Sequence, residues 1–506
     1  MAEPAPARAL GDLSPSEFAA AGHALIDWIA RYLDEIDRYP VLSRAAPGDV
    51  RAALPAAPPD GPGSFAGLLQ EFERSILPGV THWNHPGFFA YFAISGSAPG
   101  ILAELLTAAL NVNGMLWRTS PAATELEQLV LDWLRQLLGL QSAWSGIICD
   151  TASIATMLAL AAAREAHPGL AIRQRGLAGR PEIPPLRVYT SGQAHSSVDK
   201  AAIALGLGHD NVVHVDVDDA WRLRPDALAE AIARDRASGL LPTAVVATVG
   251  TTGTSSIDPV PAIAEICERE KVWLHVDGSY GGIAAVVPEL RPVLAGVDRA
   301  DSLVVNPHKW LFTPIDCSAF YCRRPDALRR AFALVPDYLA TTPADDVVNY
   351  MDYGVQLGRR FRALKLWAVI RVFGATGLAA RIRYHCELAR ELARWIDQTP
   401  EWHRVAPVPF SLVCFRYAPP GLEPAEVDAC NAAILERVNA SGRAYLSHTK
   451  LANRYVLRLA IGNIRTERRH VQEAWDLLRT AAAAVAAERR SPDQTPATRR
   501  SARSSA

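Results

Sequence analysis

The sequence predicts an α/β fold, in which a mostly parallel, doubly wound sheet is followed by a smaller α+β C-terminal domain. Three observations carry that expectation. Between about residues 100 and 320, short β-branched runs alternate with helical stretches: GIIC before TASIATMLALAAAREA, LRVYTS before HSSVDKAAIALG, then AVVATVG, VWLHVD and SLVVNP. Continuous apolar strands interleaved with helices are the pattern of a sheet covered on both faces. From about 365 to 485 the order changes to a long helix beginning RFRALKLWAVIRVFG, two strands, FSLVCFRY and RYVLRLAI, and a closing helix RRHVQEAWDLLRTAAAAVAA. Finally, 49% hydrophobic and 21% charged residues, with 12 Trp and 13 each of Tyr and Phe, supply a large core and exclude global disorder.

Taken in order, the first element starts at Ser14-Pro15-Ser16-Glu17, a capping box with Pro at the first helical position, and predicts a helix to about Ile36. Its apolar stripe, with Phe18, Leu25, Ile29 and Leu33, is followed by YPVLSRAAPGDVRAALPAAPPDGPGSF, too rich in Pro and Gly to be a compact partner. The stripe needs another surface, either a second subunit or its own chain, and periodicity alone does not choose. The apolar run ILAELLTAALNVNGMLW is broken by Glu104, Asn111 and Asn113, short of the roughly 20 residues a bilayer needs, so no membrane span is expected. The closing RRSPDQTPATRRSARSSA has too little apolar surface to order itself and reads as a flexible, solvated tail.

Lys plus Arg number 52 against 53 Asp plus Glu, so no broad positive field invites nucleic acid or an anionic membrane. The seven cysteines form no CxxC pair or zinc spacing, and their odd count argues against a disulfide framework. The cysteine pattern fits a reducing, cytoplasmic setting with no metal expected, and the N-terminus, lacking a basic segment followed by an apolar one, is not read as a secretory signal.

Chemistry concentrates at strand ends. SLVVNPHKWLF delivers Lys309 just beyond an apolar strand, where partial desolvation would lower its pKa and make a usable amine nucleophile. KVWLHV ends in Asp277, a carboxylate that can hold a protonated pyridine nitrogen, ligate a metal or cap a helix. After LRVYTS comes His195, able to stack on a planar cofactor or simply to begin a helix. Thr151-Ala152-Ser153, between GIIC and a helix, can cradle an anion or act as plain N-caps. No GxxxxGK[ST] loop is present, and Gly206-x-Gly208 lacks a third glycine, so ATP and dinucleotide readings are weak.

Together, PGVTHWNHPGFFAYF, QAHSSVDKA, ATVGTT, WLHVDGSYGG, NPHKWL and LGRRFRALKLW resemble the group II pyridoxal-phosphate (PLP) decarboxylases, specifically the aromatic-L-amino-acid decarboxylase family, over about residues 14 to 485. The resemblance implies PLP-dependent transferase fold type I with a seven-stranded sheet. It divides the chain into an N-terminal helical dimerisation segment (1–97), a large PLP-binding domain (98–365), a small C-terminal domain (366–486) and a disordered tail (487–506). Lys309 would carry PLP as a Schiff base, Asp277 would pair with its ring nitrogen and His195 would stack on the ring. Thr151, Ala152, Ser153, Asn306 and His308 would hold the phosphate. Thr252 matches a position near ring and substrate, and Ser279 replaces a family Ala beneath the ring.

The implied reaction is decarboxylation of an aromatic L-amino acid (Phe, Tyr, Trp or a hydroxylated analogue) to an arylalkylamine and CO2, with Tyr338 supplying the proton to Cα. Relatives with Phe there tend towards oxidative deamination to an aldehyde. An aromatic aldehyde synthase, or a decarboxylase of a non-aromatic amino acid, is therefore the alternative. Trp83, Tyr91 and Phe92 are expected pocket walls, with Ile94, Asn113 and Met115 as further substrate positions; Ala93-Ile94 replaces a Pro-Thr of animal relatives, removing a hydroxyl. The same resemblance implies a homodimer, with Ile315 and Leu357 reaching the neighbouring site, and a structural rather than substrate-clamping Arg458.

Overall fold

The computed structural model describes residues 12–334 and 347–490. Seven strands form the large sheet: β1 Ser145–Cys149, β2 Leu186–Ser191, β3 Val212–Val215, β4 Leu241–Thr248, β5 Trp273–Asp277, β6 Ser302–Val305 and β7 Ser318–Cys322. Their spatial order is β1-β7-β6-β5-β4-β2-β3. Neighbours among β3, β2, β4, β5 and β6 pair parallel, whereas β7 runs antiparallel to both β6 and β1. This is the mostly parallel fold type I sheet, and its central strands are buried along their whole length, as in WLHVD of β5. Helices cover both faces. One apolar core includes Val245, Val276 and Leu303, the other Val246, Trp273 and Val304, because alternate residues of a strand face opposite sides.

The smaller sheet contains β8 Trp402–Arg404, β9 Leu412–Tyr417, β10 Ser447–Leu451 and β11 Arg454–Ala460, antiparallel in the order β10-β11-β9-β8. Its core packs Val413, Phe415, Leu457 and Leu459 against Leu392, Ile396 and Trp475. Helix Ala363–Asp397 joins the two units. It is the one described helix long and apolar enough to cross a bilayer, yet Gly374 interrupts it at φ 63°, and Leu366, Val369, Leu378 and Ile382 are buried in the large core. Its apolarity serves packing.

Helix Pro15–Asp34 forms with the expected capping box: Ser14 Oγ accepts from Glu17 N, and Ser14 N donates to Glu17 Oε2 at 2.8 Å. None of its residues is buried. Trp28 packs edge-on against Phe72 and Tyr32 bonds His82, while Phe18 stays 62% exposed. The segment after it is stitched to the small unit through Val41 N to Gly442 O (2.8 Å), Phe89 N to Tyr445 O (2.8 Å) and Ala460 N to Phe89 O (3.0 Å). At the other end, helix Arg468–Arg490 runs past the boundary expected at 486, its last turn held by ion pairs of Glu488 with Arg437 and of Arg489 with Glu426.

Four buried imidazoles set an expected acid sensitivity of the fold. Burial pushes His85, His275 and His385 down to about 4 and His308 to about 3, from an ordinary 6.5. They stay neutral in the native state while the unfolded chain protonates them, so stability rises with pH across that interval. Calorimetric Tm should therefore fall as pH drops from about 6.5 towards 4, with protons taken up on unfolding at pH 5. A flat Tm over that range would contradict the neutral, buried assignment.

Candidate active site

Parallel strands place their carboxyl ends on one rim, and there the chain turns repeatedly into a cavity of about 160 Å³. All of Thr151, Ala152, Ser153, His195, Thr252, Asp277, Ser279, Asn306, His308 and Lys309 line it. Phe92, Thr248, Gly250 and Tyr280 complete the wall. Close approach makes the rim tight: Gly250 has φ +94°, and a Cβ there would lie 2.8 Å from Gly281 N, so the loops after β4 and β5 touch backbone to backbone.

The turn Pro307–Trp310 after β6 delivers Lys309, whose Nζ lies 5.6 Å from the Phe92 ring centroid. Burial lowers the amine's pKa, and the Asp277 charge partly opposes that shift. A stack fixes the turn from below: Phe92 on Tyr280 (3.8 Å, 17°), Tyr280 on Trp310 (4.7 Å, 9°), and Trp310 Nε1 donating to His385 Nδ1 at 3.0 Å. Asp277, at the end of β5, accepts on Oδ1 from both the Ser279 backbone N–H (3.0 Å) and the Ser279 hydroxyl.

His195 Nδ1 accepts from Ser197 N at 3.1 Å, so a neutral ring carries its proton on Nε2. Burial lowers its pKa, Asp277 opposing and Lys309 reinforcing the shift. His308 Nδ1 accepts from Cys317 N at 3.0 Å. Across the cavity, Thr151 is the N-cap of helix Ala152–Glu165 but makes no side-chain capping bond, and the first N–H groups of a helix have no intrahelical partner. Thr248 Oγ1 and Asn306 Oδ1 are buried without a hydrogen-bond partner. Unspent donors and acceptors around an amine and a carboxylate fit a phosphorylated, ring-shaped cofactor.

The comparisons agree with this donor set. A family model for the pyridoxal-dependent decarboxylase conserved domain matches residues 47–418. The chain belongs to the pyridoxal-dependent decarboxylase family. It is a PLP-dependent enzyme of the group II, aromatic amino-acid decarboxylase branch. Phenylacetaldehyde synthase of Arabidopsis thaliana is 39% identical over 481 residues, 93% of this chain and 97% of that protein. Tryptophan decarboxylase 2 of Oryza sativa subsp. japonica is 39% identical over 486 residues, 94% of this chain and 96% of that one. The crystal structure of Oryza sativa TDC with PLP and tryptamine superposes with a TM-score of 0.90 at 36% identity, covering 94% of this chain and 99% of that one.

Of the expected substrate positions, only Phe92 lines this cavity. Tyr91, at φ 52°, turns its ring outward, 51% exposed, with its hydroxyl 3.1 Å from that of Tyr445. Trp83 stacks on Phe88 and Tyr91, Ile94 is half-buried, and Asn113 accepts from Arg359 N at 2.9 Å with Met115 beside it. These residues are not brought to the Lys309 cavity of their own chain. Tyr338 lies outside the described residues. Thr248, Gly250 and Tyr280 were not anticipated, although ATVGTT and WLHVDGSYGG contain them.

Arg458 is not an open clamp. Its Nε donates to Gly253 O (2.9 Å), Nη2 to Thr252 O (2.7 Å) and Nη1 to Ser447 Oγ (2.7 Å), with the guanidinium 5.6 Å from the Phe92 ring centroid. It ties the Thr252 loop to the small sheet. Arg458→Ala should cost about 3 kcal/mol in urea unfolding, by stranding buried acceptors, with Arg458→Lys intermediate. Unchanged midpoints in both variants would refute the tether.

Proposed function

We propose that this enzyme decarboxylates an aromatic L-amino acid to the arylalkylamine and CO2, with Lys309, Asp277, His195 and Tyr338 as its catalytic residues. The observation that carries the reading is the desolvated Lys309 amine sharing one cavity with Asp277, His195 and an uncapped helix N-terminus. Bound there, PLP supplies an electron sink for the pair released when the Cα–carboxylate bond breaks. Lys309 Nζ would be the amine that holds the cofactor by its carbonyl carbon. Asp277 would keep a proton on the ring nitrogen, and Ser279 fixes the carboxylate by donating to Oδ1. His195 would help hold the ring. The N–H groups of Ala152 and Ser153, with the Thr151 and Ser153 hydroxyls, Asn306 and His308, would hold the phosphate, and Thr252 lines the same cavity. Tyr338 delivers a proton to Cα, taking the place of the departing CO2.

The aromatic preference is supported by relatives named tryptophan decarboxylase and tyrosine decarboxylase, the latter from Petroselinum crispum at 39% identity, and by the Phe92–Tyr280 wall. A homodimer is supported by a surface a lone chain leaves bare. Leu102, Leu105, Leu106 and Leu110 form an exposed apolar stripe on helix Ala98–Leu110, and Ile315 (54%) and Leu357 (47%) are also exposed. In the dimer Asn113, Met115, Ile315 and Leu357 would approach the neighbouring cavity. Seven free, buried cysteines suit a reducing, cytoplasmic setting.

Purified wild-type enzyme should be yellow, bind PLP and release CO2 and amine stoichiometrically from at least one of Phe, Tyr and Trp. Lys309→Ala should lose the visible band and slow turnover at least about a thousandfold. Amine release at wild-type rate by Lys309→Ala would overturn the assignment, and turnover of only non-aromatic substrates would overturn the substrate class.

The second reading, an aldehyde synthase, is favoured by phenylacetaldehyde synthase among the relatives. Tyr338, matched by resemblance to the proton donor of the decarboxylases, speaks for the amine instead. Tyr338→Phe should shift product from amine towards aldehyde, ammonia and peroxide in the presence of oxygen; an unchanged amine yield would remove Tyr338 from the role.

A further inference from the structure

Away from the cavity, three side chains from successive elements converge on the flank of the large sheet. Asp199 is in helix Ser197–Ala204, His209 opens the turn His209–Asn211, and His214 is in the edge strand β3. His214 Nε2 is 3.0 Å and His209 Nε2 3.4 Å from the same oxygen, Asp199 Oδ1. The three potential donor atoms all lie within 4.8 Å of one another.

We propose that Asp199, His209 and His214 form a binding site for a divalent transition ion of the Zn2+, Ni2+ or Cu2+ type, separate from the PLP cavity. Ligands at 2.0–2.1 Å around a tetrahedral ion stand about 3.3 Å apart. The two measured His to Asp separations bracket that spacing. Both imidazoles are solvent-facing, with side chains 62% and 45% exposed, so small rotations close the third edge without moving backbone. A metal ligand of this kind carries its proton on the other ring nitrogen, and His209 Nδ1, 4.0 Å from the exposed Asp210 carboxylate and beyond hydrogen-bond distance, is free to give that proton to solvent. Two imidazoles and one carboxylate select borderline ions over Mg2+ and Ca2+, which prefer oxygen donors throughout. Water completes the coordination.

The ion would act as a clip. Within the sheet β3 pairs only with β2, and helix Ser197–Ala204 begins two residues after His195, whose Nδ1 takes the Ser197 N–H. Binding would tie the edge strand to the helix that supports His195, stabilising the native state by mass action.

Isothermal titration of tag-free, chelator-dialysed holoenzyme with Zn2+ at pH 7.5 tests this. One Zn2+ per chain should bind, with a dissociation constant on the order of 10 μM, and Ni2+ should bind while Mg2+ gives no heat. His214→Ala should weaken Zn2+ at least tenfold, and the His209→Ala/His214→Ala double variant should lose the site while keeping its PLP absorbance, which certifies its fold. Zn2+ should raise the Tm of wild type and not of the double variant. No Zn2+ binding to wild type at 1 mM, the result expected of a plain His–Asp ion pair, would overturn the proposal, as would undiminished binding by the folded double variant.

Discussion

The chemistry of this protein rests on keeping one amine, Lys309 Nζ, out of water while a carboxylate stays close enough to be felt. Desolvation lowers the lysine's pKa, and the Asp277 charge opposes that shift. Neither group could hold that relation from a loose loop. Asp277 is the last residue of β5, and Lys309 lies in a turn directly after β6, the strand paired with β5 through Asp277 and Val304. The parallel pairing that builds the core thus sets the separation of the two groups, and the Phe92–Tyr280–Trp310–His385 stack removes the remaining freedom of the Lys309 turn.

The same constraint explains what the sequence revealed and what it hid. β1, β2, β4, β5 and β6 are short apolar runs because helices cover both faces, and that continuity is readable without a structure. β7 is equally apolar, but its direction is not readable: the twelve residues 306–317 after β6 hold the one-turn helix Pro307–Trp310, and β7 returns antiparallel. β10, SHTKL, carries one large apolar residue, the buried Leu451, and exposes His448 and Lys450, because it is an edge strand of the smaller sheet. The residues predicted to line the cavity were legible because each stands at or just past a strand end and carries a functional group. Thr248, Gly250 and Tyr280 share those motifs, yet a threonine ending a strand, a glycine in a turn and a buried tyrosine look ordinary until the backbone shows what they touch.

Substrate walls were the least legible, for a geometric reason. Tyr91 and Phe92 are neighbours, but the left-handed backbone at Tyr91 sends one ring to the surface with Tyr445 and the other onto Tyr280 inside. Aromatics adjacent in sequence suggest adjacent walls, and one positive φ, at Tyr91, separates them. Asn113 is likewise occupied within its own chain by the Arg359 backbone, a contact between distant segments that no local pattern announces.

The N-terminal segment shows why chain order and spatial order diverge. Residues 87–89 bond to Tyr445 and Ala460, so a stretch that precedes the large sheet in sequence is tied by backbone bonds to the small one. Phe92 follows within three residues and enters the cavity, and Arg458, on β11, reaches from the other side to the carbonyls of Thr252 and Gly253. The cavity wall is therefore closed by the first and last portions of the fold acting together. A PLP site built this way is complete only when both sheets have formed and docked, which couples cofactor affinity to the whole chain rather than to the large sheet alone.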